Sequence, residues 1–194
     1  MLDKKGLKKM RVGLLGLQGA FLDHIPHFRR LGVEPTIVRD IKGLGAIDRL
    51  VIPGGESTVM HKFLQEFGMA APLLERIDSG MPVWGICAGA ILLAREVDGR
   101  PGAIGPLPIS VTRNAYGRQI DSSQRWIDIP LFDAHAYLAI FIRAPKIDRI
   151  DEGVTIHATF DTDPIFIQKN RIMATTFHPE LNRDDMFHRY FLDI

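Results

Sequence analysis

Along the first half of the chain, short apolar runs alternate with segments whose apolar positions recur at helical spacing. Arg11-Val12-Gly13-Leu14-Leu15-Gly16-Leu17 is apolar on both faces, the pattern of a strand inside a mostly parallel sheet. After the Gln18-Gly19-Ala20 turn, Phe21, Ile25 and Phe28 fall at helical spacing, and Gly32 follows the end. Pro26 lies within this segment, so the helix should start late or bend. Residues 35–39 and 49–52 read as the second and third strands, separated by a Gly-rich connection. Past Pro53-Gly54-Gly55-Glu56-Ser57-Thr58, with Ser57 as N-cap, Met60, Phe63, Leu64 and Phe67 form one helical face that Gly68 closes. Residues 71–79 give a further helical piece before the strand Val83-Trp84-Gly85-Ile86, and residues 90–96 are helix formers. This order predicts an α/β layered fold with right-handed crossovers. Ligands in such sheets collect at the carboxyl ends of the strands.

After Val97 the pattern changes. Pro101, Pro106 and Pro108 interrupt it, and short alternating segments replace helices at 109–112, 126–129, 138–143, 154–160 and 165–168. These read as strands of a largely antiparallel extension. Asn170-Arg171 is a turn, and a last strand at 172–177 delivers His178-Pro179-Glu180 to its carboxyl end. A short helix closes the chain, with Asn182 as cap, Asp184 and Asp185 in its first turn, and Met186, Phe187, Tyr190 and Phe191 as its buried face.

Composition narrows the functional classes. With 194 residues and 46% hydrophobic content, the chain is expected to form a single domain over residues 1–194, with residues 1–10 as a solvated, flexible extension rich in lysine. A formal net charge of +1 gives no field suited to nucleic acid or an anionic membrane. One cysteine excludes an intrachain disulfide and a cysteine zinc cluster, which fits a reducing compartment and a cytoplasmic location. No stretch is apolar for long enough to span a bilayer, and the amino end lacks a signal-peptide core.

That cysteine, Cys87, sits between Gly85 and Gly89 at a strand-to-helix turn, the geometry of a nucleophile elbow. There a helix N-terminus favours thiolate, although a lone buried cysteine is more often inert packing. A thiol nucleophile needs an imidazole to take its proton and an acceptor to orient that imidazole. His178 and Glu180 can supply both, or they can form an ordinary surface turn. Gly54 and Gly55 can present backbone N–H groups to a developing oxyanion, or simply make a capped turn. Arg113 and Arg143 can clamp a carboxylate, as an amino-acid substrate needs, or make surface ion pairs.

Taken together, Gly16-Leu17-Gln18-Gly19-Ala20, Pro53-Gly54-Gly55-Glu56-Ser57-Thr58, Cys87-Ala88-Gly89, Arg113-Asn114-Ala115-Tyr116-Gly117-Arg118-Gln119, Phe141-Ile142-Arg143-Ala144-Pro145 and Phe177-His178-Pro179-Glu180-Leu181 resemble the glutaminase subunits of pyridoxal 5'-phosphate synthase, within the class I (triad) glutamine amidotransferases. The resemblance implies the three-layer, flavodoxin-like fold of that class. It implies that Cys87 attacks the glutamine amide, with His178 as base and then acid and Glu180 orienting it. Gly55, Glu56, Ser57, Arg113, Ile142 and Arg143 would contact glutamine, and Gly54, Gly55 and Ala88 are the oxyanion-hole candidates. Gln18 would orient substrate or serve the interface with the synthase subunit. Ammonia would pass to that subunit, and the chain would need no cofactor or metal. Ile86 stands where the family usually has threonine. The other readings are the glutaminase subunit of a different ammonia-using synthase, and a catalytically silent binding subunit.

Overall fold

The structure, a computed structural model, describes residues 10–115 and 122–194. The expected extension, residues 1–10, lies outside them except for Met10, as does Tyr116-Gly117-Arg118-Gln119.

Among the described residues the main sheet has seven strands. Five are parallel neighbours in the order β13 (Ile172–Thr175), β4 (Val83–Ile86), β3 (Arg49–Ile52), β1 (Val12–Leu15) and β2 (Thr36–Val38). Antiparallel β12 (Asp163–Lys169) and β11 (Thr155–Phe160) extend the β13 edge. The central strands are apolar on both faces because both faces are covered. Leu15, Leu50, Ile52 and Val83 share one core with Met60 and Leu64 of α3 (Ser57–Glu66), Leu73 of α4 (Ala70–Asp78) and Leu92 of α5 (Ala88–Leu93). Val12, Leu14, Val51, Trp84 and Ile86 share the other with Phe28 of α1 (Ile25–Arg30) and Phe187 and Phe191 of α6 (Met186–Asp193). The expected three-layer α/β arrangement is therefore observed.

The second half divides further. β10 (Lys146–Ile150), β7 (Leu107–Thr112), β5 (Ala94–Val97) and β6 (Arg100–Pro101) form a separate sheet, in which β5 and β7 are parallel and the other pairs antiparallel. β8 (Ser122–Ile129) and β9 (Ala134–Ile142) make a two-stranded antiparallel ribbon over the second core.

Several local expectations are corrected. The helix anticipated at 90–96 starts at Ala88 and ends at Leu93. Ala94–Val97 is a strand, because pairing with β7 overrides its helix propensity. Ser57 is not the N-cap but the first residue of α3. The turn places the extended residue at Glu56, which caps by position without a side-chain bond. Asn182 does not cap α6. Its Oδ1 accepts the Arg183 N–H at 2.7 Å, Asp184 Oδ1 accepts the Met186 N–H at 2.6 Å, and Asp185 occupies the cap. The Gly-rich connection contains a short helix, α2 (Ile41–Gly45), capped by Asp40 Oδ1 on the Gly43 N–H at 2.6 Å. Pro26 is accommodated by the late start: a 3-10 turn at Phe21–His24 precedes α1, so the proline falls in the first helical turn, where no intrahelical donor is lost.

Histidines occupy positions in α1 and α6 that helical spacing alone would give to apolar residues. His24 and His188 are fully buried and 2.9 Å apart between Nδ1 and Nε2, and His188 stacks on His27 at 4.1 Å between ring centroids. Burial pushes His24 down to about 4, with His27 and His178 adding to the effect and Glu180 opposing it. His188 is likewise lowered by burial.

Two predictions follow from this packing. A Cβ at Gly89 would stand 2.1 Å from the Ile52 carbonyl oxygen on β3, a rigid neighbour, so Gly89→Ala must push α5 off the sheet. We expect a loss of about 1–3 kcal/mol in urea unfolding, and an unchanged midpoint would contradict the close packing. Between pH 6.5 and 4 the unfolded chain binds a proton that folded His24 refuses, so the His24 contribution to stability falls as pH falls through this window and is constant above it. From pH 7 to 5 the expected loss through His24 is about 2 kcal/mol. His24→Asn should remove the His24 share of that slope and leave the share of His188, which burial lowers in the same way, and an equal slope in the variant would refute the assignment.

Candidate active site

Cys87 follows β4 and opens α5 with φ 49° and ψ −100°, a conformation costly for a non-glycine residue. The turn is held from both sides: the Cys87 N–H donates to the Thr175 carbonyl at 2.8 Å, and its own carbonyl accepts the Ile91 N–H at 3.1 Å. Small neighbours make this possible. A Cβ at Gly85 would lie 2.7 Å from the backbone of Gly89. The thiol is buried and donates to the Ile142 carbonyl at 3.7 Å.

His178 follows the neighbouring strand β13, and its N–H donates to the Ile140 carbonyl at 2.8 Å. Its ring lies against Gly54, where a Cβ would come within 2.4 Å of Cε1. His178 Nδ1 and Glu180 Oε1 are 2.7 Å apart, with both side chains buried. The carboxylate can only accept here, so Nδ1 carries the proton and Nε2 is left facing the thiol side. Nε2 is buried without a hydrogen-bond partner at ordinary distance. Burial pulls the imidazolium down, but the neighbouring Cys87 sulfur and Glu180 outweigh it, and His178 is pushed up to about 10. Burial favours the neutral form of Glu180, yet His178 and His24 hold its carboxyl below the usual range.

A pocket of about 250 Å³ opens over these groups. Of the residues anticipated from the sequence, Gly54, Gly55, Glu56, Ser57, Cys87, Ala88, Arg113, Ile142, Arg143 and His178 line it, and Glu180 stands behind His178. Gln18 is not in the lining. Its Oε1 accepts the Glu56 N–H at 2.8 Å, and the Ala20 N–H donates to the Gly54 carbonyl at 3.0 Å, so the Gln18-Gly19-Ala20 turn braces the Gly54–Gly55 turn. Ala88 lies in the first turn of α5, where an N–H has no carbonyl within the helix to bond.

Both arginines are already engaged. Arg143, at φ 43°, places Nη2 2.7 Å from Glu56 Oε1 across the mouth. Arg113 donates from its N–H and Nε to Asp98, and from Nη1 to Thr58 Oγ1 at 3.0 Å. The Arg113 amide and guanidinium together hold the Asp98 carboxyl below its usual range despite some desolvation. Ala20, Thr58, Ile91 and Asn114 complete the lining, and sequence reasoning gave them no individual role. Thr58 lay inside a motif already noticed. Asp98 carried no signal, because its approach to Arg113 depends on the pairing of β5 with β7.

Known proteins resemble this chain along nearly its whole length. The SNO glutamine amidotransferase family matches residues 14–194. A pyridoxal 5'-phosphate synthase subunit PdxT from Thermotoga petrophila is 45% identical over 186 residues, 95% of this chain and 99% of the relative. One of the same name from Dehalococcoides mccartyi is 42% identical over 189 residues, 95% of this chain and 97% of its own. A crystal structure of a glutamine amidotransferase superposes with a TM-score of 0.88 at 38% identity, covering 94% of this chain and 97% of that one. PurLQS from Thermotoga maritima shares the fold, with a TM-score of 0.70 at 14% identity over 96% of this chain and 99% of that one. The resemblance carried by the motifs is borne out along nearly the whole length, and the chain belongs to the SNO glutamine amidotransferase family.

Proposed function

We propose that the chain hydrolyses L-glutamine to L-glutamate and ammonia through Cys87, His178 and Glu180, and delivers the ammonia to a synthase subunit that makes pyridoxal 5'-phosphate. The observation that carries the chemistry is a strained cysteine turn facing a histidine whose far nitrogen is bound to a buried carboxylate, all at one pocket. The relatives named as pyridoxal 5'-phosphate synthase subunits support the destination of the ammonia. A thiol that must stay reduced supports a cytoplasmic location.

The Cys87 thiol passes its proton to His178 Nε2, Cys87 Sγ attacks the side-chain amide carbon of glutamine, and the carbonyl π electrons move onto oxygen. Amide N–H groups of Gly54 or Gly55 and of Ala88 stabilise that oxyanion, fixed in place before the charge develops. His178 Nε2 gives its proton to the departing nitrogen, ammonia leaves, and a glutamyl thioester remains. Neutral His178 then takes a proton from water, whose oxygen attacks the thioester carbon. Collapse releases glutamate and restores the thiolate with its imidazolium. Glu180 keeps Nδ1 protonated throughout, so Nε2 is always the exchanging nitrogen.

Glu56 and Arg143 set one negative and one positive group 2.7 Å apart at the mouth, a match for the zwitterionic end of an amino acid. Arg113, Ser57, Gly55 and the Ile142 backbone complete the glutamine contacts in this reading. Since the Gly54–Gly55 turn is braced by Gln18, a partner that shifts that brace would move an oxyanion donor. Hydrolysis would then be slow until the synthase subunit docks.

Glutamate release from glutamine tests this reading. The expected outcome is low activity alone, higher activity with the synthase subunit, and a loss of at least about a thousandfold in Cys87→Ala. Equal turnover with and without partner would remove the gating, and an active Cys87→Ala would remove the chemistry. The pH profile adds a second check. Activity should fall on the alkaline side as His178 loses the proton it must donate, near 10. Glu180→Gln takes away a charge that holds the imidazolium, so the alkaline limb should move toward lower pH and kcat should fall. A limb that stays in place would contradict the assigned role of Glu180.

A further inference from the structure

Glu180 lies on a single 3-10 turn, Pro179–Leu181, at the end of the sheet. The turn has two backbone bonds of its own: the Leu181 N–H donates to the His178 carbonyl at 3.3 Å and the Asn182 N–H to the Pro179 carbonyl at 3.1 Å. Its carboxylate has one side-chain partner, His178, while Oε2 is buried with no hydrogen-bond partner. A carboxylate held at one oxygen can swing about that bond unless its backbone is fixed from elsewhere.

The end of the turn is tied to β9 by Asn182 Nδ2, which donates to the Leu138 carbonyl at 3.0 Å, and at Glu180 itself the fixing comes from α1. His27 Nε2 lies 3.0 Å from the Glu180 carbonyl oxygen, which can only accept, so Nε2 carries a proton and donates it there. The ring has little freedom left. Its Nδ1 is 2.7 Å from Asp185 Oδ1, and His188 stacks on its face with an interplanar angle of 3°. Asp185 is itself gripped by Arg30 through Nε and Nη2, at 2.9 Å and 2.5 Å, and Arg30 Nη2 also stands 2.9 Å from His27 Nδ1. Arg30 first, and His27 after it, hold the Asp185 carboxyl below the usual carboxylate range despite some desolvation. A continuous set of contacts thus runs from exposed Arg30 through Asp185 and His27 to the main chain of Glu180.

We propose that His27 is a positioning residue for Glu180: fixed between the Arg30–Asp185 pair and the His188 ring, it pins the Glu180 backbone so that the carboxylate meets His178 Nδ1 in one orientation. This rests on the triad reading above. His27 touches neither glutamine nor the thiol, so its loss should act on the chemical step and leave substrate binding alone.

The test uses the chain reconstituted with the synthase subunit, with variants compared at equal folded fraction by circular dichroism. His27→Met fills the space without a donor, and His27→Gln returns an N–H near the position of Nε2. We expect His27→Met to lower kcat about tenfold to a hundredfold, to leave KM for glutamine within about twofold, and to bring the alkaline limb to lower pH. His27→Gln should recover most of kcat and the limb. A His27→Met variant with parental kcat and pH profile would overturn the proposal, and so would equal losses in the Met and Gln variants, since packing alone would then explain them. Glu180→Gln in the same series separates the two levels: if it retains full kcat the triad reading falls, whereas loss there with no effect at His27 removes only the positioning role.

Discussion

The parallel pairing of β13 with β4 is the constraint on which the rest depends. Thr175 stands opposite Ile86, and the Cys87 N–H reaches across to the Thr175 carbonyl at 2.8 Å. Because the strands run the same way and in register, whatever follows them emerges at the same edge. Cys87 comes next on one, and His178 three residues after Thr175 on the other. β3 pairs with β4 on the opposite side and ends at Ile52, so Gly54 and Gly55 arrive at that edge too. A sulfur, an imidazole and a turn with free-standing glycines are thereby collected from three distant parts of the sequence.

Close approach then sets what each position can hold. The helix after Cys87 sits so near β3 that only glycine fits at residue 89, and the imidazole sits so near the third-strand turn that only glycine fits at residue 54. Both contacts reduce the space available to water around the thiol and ring. The same compactness explains the charges. His178 keeps a proton in a buried place because Cys87 and Glu180 surround it, while His24, whose Nδ1 meets the His188 ring, loses its own because burial outweighs the pull of Glu180. Two buried histidines in one core are driven in opposite directions by what lies beside them.

Much of this was legible in the sequence. Strands apolar on both faces announced a covered parallel sheet, and the site residues were legible because they directly follow strands, where position in the chain fixes position in space. Less legible were features set by contacts between distant segments. Residues 94–97 favour a helix, but β7 offers them a strand partner. Ser57 and Asn182 have capping side chains, yet neighbouring turns place the caps at Glu56 and Asp185. The engagement of Arg113 with Asp98 and of Arg143 with Glu56 depends on loop geometry that no local pattern encodes. His24, ending the 3-10 turn, and His27 of α1 occupy apolar positions, and only the packing of α6 against them shows them as a buried histidine layer beneath Glu180.

The central claim is that Cys87 is an activated nucleophile within a glutamine-shaped pocket. The most direct measurement is covalent trapping by a glutamine analogue carrying an electrophilic carbon in place of the side-chain amide, read by mass spectrometry of the intact chain and its peptides, with the synthase subunit present. The account predicts one adduct per chain, on the peptide containing Cys87, slowed by excess glutamine and strongly slowed in His178→Ala. Labelling that ignores glutamine, occurs elsewhere, or proceeds equally without His178 would contradict it.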